Sequence, residues 1–259
     1  AGAHYGRVQC AAACDAGAGG GGLNRAALMS DVDRFLRQWK DSLCTQVSVG
    51  GLLARSPVAH KWKAPFLSLI LRECVSWRTL DLLEQAHVLH HAGCTLGSRI
   101  LIRSALESLA TLIHLNQLTH KVLNGALNFH EFDSKTRTLL LGSRDGSTSH
   151  PSISIVTVLS HCEKKYEGIS GIYATLSECA HPNYEGVCVG YSEVDHDLYE
   201  TNFSNRWTEL WSARHEQFMN LVCRIFETEY NKEWPELFER LERWLEANDA
   251  ALEASRTDA

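Results

Sequence analysis

The chain has 259 residues, 44% hydrophobic and 22% charged, enough to bury one large core or two small ones. Its formal charge of -6 resides in the C-terminal arm: from Glu227 onward ten acidic side chains face four basic ones, and the residues before are neutral overall. This excludes broad non-specific nucleic-acid binding while leaving room for a local basic pocket; no apolar run reaches the roughly 18 residues of a membrane helix, because Arg99, Arg103 and Glu107 interrupt the longest.

Residues 1–28 are mostly Ala, Gly and small polar residues without a hydrophobic stretch, and are expected to be a disordered leader or a non-native extension. A helical core domain should occupy residues 29–232. Its first helix, Ser30 to about Cys44, sets Val32, Phe35, Leu36, Trp39 and Leu43 on one face. A loop around Gly50, Gly51 and Pro57 follows, then a long helix from Pro65 to Gly93, a residue suited to a helix stop. Helices are next expected over Leu96–Leu118, Lys121–Leu141, about Ile153–Tyr166 and Ser170–Ala180, the last halted because His181 precedes Pro182. A long irregular loop from Pro182 to Asn202 leads to a helix from Asn205 to Tyr230. An acidic amphipathic helix over residues 233–259 should pack on the core or project from it, through Leu237, Leu241, Trp244 and Leu245. The fold class is therefore all-α, an irregular bundle of about seven to eight helices with one long loop before the two C-terminal ones. Nine cysteines are scattered singly with no CxxC pair, which points to free thiols in a cytoplasmic protein.

Two segments carry candidate chemistry. On the helix through residues 96–118, Arg99, Arg103, Glu107 and His114 share one narrow stripe opposite Leu101, Ala105, Leu109 and Leu112. A solvated i, i+4 pair, a buried ion pair and a catalytic pair are all open to Arg103 and Glu107. In the second segment, Ser177, Glu178 and His181 end a short helix, with Tyr184 just past the turn. A histidine there suits the helix dipole, and such a helix end also presents working side chains. The candidate polar pocket is Arg103, Glu107 and His181, with Ser177 and Tyr184 nearby.

The runs SRILIRSALESLATLIHL, LNFHEFDSKTRTLLL and YATLSECAHPNY resemble the bacterial domain-of-unknown-function 5677 family, over about Leu67 to Glu229. Arg103, Ser104 and Glu107 fall on one family motif, and Leu176, Ser177, His181 and Pro182 on the other. The resemblance implies an all-helical fold and a bacterial cytoplasmic setting, and no particular activity.

Three functional classes follow. The first is a binding or regulatory module with a polar pocket, whose last helix could join a protein partner or a second copy. The second is a metal-independent ribonuclease, in which an imidazole moves a proton and a guanidinium stabilises phosphate charge; Arg103 with His181 is the preferred pair, over the Arg144–His150 and Arg55–His60 spacings. RNA is then a possible partner. The third is a metal-binding bundle, for which Glu84 with His87, then His91, and Glu178 with His181 have the right helical spacing, while a full set would also need Glu107 and Glu131. No Gly-rich phosphate loop, zinc-finger spacing or nucleophile elbow is present, so no cofactor is expected.

Overall fold

The computed structural model describes residues 31–255; the leader expected over residues 1–28 lies outside them. The helices are α1 (Asp31–Asp41), α2 (Val49–Arg55), α3 (Lys63–His91), α4 (Thr95–Leu123), α5 (Phe129–Leu141), α6 (Ile155–Cys162), α7 (Ile169–Glu178), α8 (Trp207–Trp211), α9 (His215–Thr228) and α10 (Trp234–Ala254). Strands β1 (Ser192–Asp195) and β2 (Glu200–Phe203) form one antiparallel hairpin. The protein is an all-α bundle, and no helix among the described residues is long and apolar enough to cross a membrane.

The α3–α4 pair is the axis of the molecule. Both helices have 29 residues, about 43 Å at 1.5 Å per residue. The turn between them has Gly93 at φ +75°, with Gly93 N–H donating to His90 O and Cys94 N–H to Leu89 O, which satisfies the last carbonyls of α3. The end of α4 repeats the device: Gly125 sits at φ +71° and Ala126 N–H reaches Lys121 O. That stop falls about one turn inside the Lys121–Leu141 helix expected from sequence, so α4 runs on through Lys121 to Leu123 and α5 starts afresh at Phe129, where the Asn128 side chain accepts from His130 N–H. Residues Ile102, Leu106, Leu109, Ile113 and Leu115 of α4 are fully buried, because α3, α5, α6, α7, α9 and α10 all pack around it.

Three local expectations are corrected. The Gly50–Gly51 loop is the first turn of α2, anchored by the fully buried Leu52. The expected loop from Pro182 to Asn202 holds a wide turn at Tyr184–Val189 and most of the hairpin, whose tip is pinned where Asp195 Oδ1 accepts Asp197 N–H and Leu198 N–H. The helix expected from Asn205 to Tyr230 breaks at Ser212–Arg214 into α8 and α9. At its far end α9 passes through a wide turn, Glu229–Glu233, directly into α10. The apolar stripe of α10 faces its own core: Leu237, Phe238, Leu241 and Leu245 are buried and Trp244 half-buried, while Glu242 is held by Arg55 at 2.6 Å. That stripe is therefore covered within the chain.

Candidate functional site

Arg103 and Glu107 do meet, but their common partner is Tyr173 of α7. Arg103 Nη2 donates to the Tyr173 hydroxyl (2.9 Å), which donates to Glu107 Oε1 (3.0 Å); the guanidinium and carboxylate lie 3.4 Å apart. The Arg103 carbon also sits 5.1 Å from the Tyr173 ring centre. Hydrogen bonding to Tyr173 and the charge of Glu107 outweigh partial burial and raise the Arg103 pKa. This ring of three groups closes α7 onto α4.

The rest of the expected pocket does not assemble. His181 is exposed beyond the end of α7, where its carbonyl accepts Asn183 N–H, because Pro182 turns the chain away from α4. Tyr184 is 76% exposed, and Ser177, one turn beyond Tyr173, has a buried Oγ with no partner among the described residues. The metal candidates are likewise engaged elsewhere: Glu84 binds Lys40, His87 Nε2 donates to Asp33 Oδ1, His91 lies against His87, and Glu178 accepts from Asn183. Among the described residues no three His, Cys, Asp or Glu side chains are grouped as a metal site requires.

Beside the Arg103 ring lies a cleft of about 470 Å³ whose polar wall is Arg78, Arg103, Arg144, Glu107, Ser108 and Thr111, with Leu71, Val75, Leu139, Leu140 and Ile155 supplying apolar surface. Arg78 Nε donates to Ser108 Oγ (3.2 Å), which aims its guanidinium along the cleft. Arg144 enters from the loop after α5, which is tied to residues 150–152 by Ser143 N–H to His150 O and Ser152 N–H to Ser143 O. Three guanidinium groups thus share this wall with one carboxylate.

A second polar centre was not read from the sequence. Glu229, 0% exposed, stands in the wide turn before α10 and receives Asn116 Nδ2 at 2.7 Å, the Tyr166 hydroxyl at 2.6 Å and Lys165 Nζ at 2.8 Å. Burial and the Glu229 charge push the Tyr166 hydroxyl far up, and burial raises the Cys162 thiol nearby to about 12. In front of these groups opens a cleft of about 430 Å³, lined in part by Asn116, Gln117, His161, Lys121 and Lys164. The His161 ring stacks on His114 at 5.0 Å and 8°, and burial holds His114 down at about 4, so it is neutral at pH 7. The next residue, Tyr230, donates to Glu73 Oε2 (2.7 Å) and carries the Arg72 guanidinium over its ring at 3.5 Å. One readable signal existed: Val222, Phe226 and Glu229 follow helical spacing, which puts a carboxylate on a buried face.

A third cluster closes the α3–α4 turn. His90 and His215 stack at 3.7 Å and 5°, and Ser98 Oγ bonds His215 Nδ1 at 3.0 Å. Burial first, then the neighbouring imidazoles, lower His215 to about 3. Compared with known protein families, curated proteins and solved structures, the chain gives no match to any of them.

Proposed function

We propose that this chain is a helical binding module whose arginine-lined cleft takes an anionic ligand. One observation carries the reading: Arg78, Arg103 and Arg144 converge on one partly apolar cleft against the single carboxylate of Glu107. Guanidinium forks match carboxylate and phosphate oxygens in pairs, and a low-polarity wall strengthens such contacts. Tyr173 and Glu107 fix the orientation of Arg103, and Arg144 meets no carboxylate among the described residues, so it is available to a ligand. Binding is favoured over cleavage because the residues lining the cleft include no imidazole.

The ribonuclease-like reading stands second, supported by Arg144, whose loop also carries His150. A bacterial cytoplasmic setting and membership of the family resembled above belong to the same proposal. Support comes from seven free thiols among the described residues, and from the two motifs lying on α4 and at the end of α7, helices that pack together.

Calorimetric titration of the full chain with pyrophosphate, and separately with citrate, tests the main reading. Saturable binding of either anion that weakens tenfold or more in Arg144→Gln is the expected result. Equal affinity in the variant, or no saturation at millimolar anion, refutes it. Cleavage of labelled RNA in the presence of chelator would move the second reading to first place.

A further inference from the structure

The cleft in front of Glu229 shares no lining residue with the arginine cleft, so it is a separate site. Its floor has a defined polarity. The Glu229 carboxylate can only accept, so Asn116 must turn its amide N–H groups toward it, donating to Oε2 (2.7 Å) and to the Glu229 carbonyl (3.2 Å). That leaves Asn116 Oδ1 as an acceptor with no partner among the described residues, although Asn116 is 3% exposed and lines the cleft. A buried acceptor without a donor is costly, and a ligand that brings an N–H group removes the cost.

The walls add two further requirements. His161 offers a flat ring, backed by the parallel ring of His114 and fixed through its own carbonyl by Gln117 Nε2 (2.9 Å). Burial, with the positive charges of Lys121, Lys164 and Lys135 around it, lowers the His161 pKa, so the ring presents a neutral face to an aromatic base. Lys121 and Lys164 stand at the cleft without a carboxylate partner among the described residues, whereas Lys165 is already neutralised by Glu229 and Glu233. A ligand that meets all three requirements carries an amine N–H, a flat ring and negative charge. The cleft volume of about 430 Å³ falls in the range of about 300–1,000 Å³ typical of small-molecule sites.

We propose that this cleft binds a nucleoside monophosphate with an exocyclic amine on its base. The amine donates to Asn116 Oδ1, the base lies along His161, and the phosphate sits between Lys121 and Lys164. The wide turn at Glu229–Glu233 serves this site by setting the buried Glu229 behind Asn116, whose amide it holds, and by bringing Glu233 to the cleft lining; such turns within helices recur at functional sites.

The test is calorimetric titration of the full chain with adenosine monophosphate, adenosine, ribose 5-phosphate, inorganic phosphate and purine riboside monophosphate, which lacks the amine. The expected order has adenosine monophosphate tightest, each of the others weaker by tenfold or more. Lys121→Gln/Lys164→Gln, at exposed positions that leave the core intact, should lower its affinity tenfold or more while leaving adenosine unchanged. The proposal is overturned if adenosine monophosphate binds no better than inorganic phosphate, if the amine makes no difference, if the lysine variant binds normally, or if nothing saturates. Because the phosphate-bearing probes are also anions of the class proposed for the arginine cleft, the same titrations are repeated in Arg144→Gln, where binding at the Asn116 cleft should persist unchanged; failure here leaves the arginine-cleft reading to its own titration.

Discussion

Acid should weaken this fold well before its carboxylates titrate. His114 and His215 are both almost fully buried, with folded pKa values of about 4 and about 3. Burial is the main cause in each; His161, Lys121 and Lys135 add to it at His114 against a hydrogen bond from Gln117, and His90, His87, His91 and Arg99 add to it at His215. In the unfolded chain both rings titrate near about 6.5. Because the folded values lie lower, the unfolded chain binds more protons below that point, so stability is complete above about pH 7.5 and declines as pH falls. Each pH unit below the unfolded value is worth about 1.36 kcal/mol per ring, so between about pH 7.5 and 5 each ring removes about 2 kcal/mol and the two together about 4 kcal/mol. Against a typical total of about 5–15 kcal/mol that is a large fraction. Urea unfolding at several values across this window measures it, with His114→Gln/His215→Gln as the control whose slope should be less than half that of the parent. A flat profile in the parent, or equal slopes in both proteins, would refute the claim that these rings are held neutral by the fold.

Two substitutions probe the polar centres directly. Tyr173→Phe deletes the hydroxyl that joins Arg103 to Glu107 and should cost about 1–2 kcal/mol; amide exchange in α7 should rise while exchange in α3 stays as it was, and uniform acceleration across both helices would contradict the clamp. Glu229→Ala strands Asn116, Tyr166 and Lys165 without their acceptor and should cost about 3–5 kcal/mol by denaturant midpoint; a loss under 1 kcal/mol would show that the buried carboxylate is replaceable.

The parts of the fold legible in sequence are those in which one local signal suffices. Gly93 and Pro65 bracket α3, and the apolar spacing of α4 identifies its buried face. Arg103 and Glu107 were read correctly as neighbours because one helix turn sets their separation. Their third partner was not, since Tyr173 lies on another helix and nothing in residue order tells a phenol at that position from the histidine eight residues later. The chemistry of His181 drew attention to a side chain that Pro182 carries into solvent. The Glu229 centre is harder still, because Asn116, Lys165 and Glu229 come from three elements that only packing brings together. The hairpin escaped notice for a different reason: Val194, Leu198, Tyr199 and Phe203 stay exposed, so no alternation of buried and exposed positions marks its strands.

The wide turn between α9 and α10 follows from the spacing of the residues it connects. Val222, Phe226, Tyr230, Trp234 and Phe238 are all buried, at four successive intervals of four residues. An ideal helix advances about 100° per residue, so sixteen residues would carry Phe238 roughly 160° around from Val222 and out of the core. A wide turn with one extra residue takes up about 100° of that drift. It falls at Glu229–Glu233, the point where the buried face changes from apolar side chains to a carboxylate and a phenol. There Glu229 turns to Asn116 and Lys165, while Tyr230 turns to Glu73 and Arg72. The same distortion that keeps the apolar ladder inside thus divides two polar groups between opposite neighbours, and the division leaves Asn116 Oδ1 buried without a donor among the described residues.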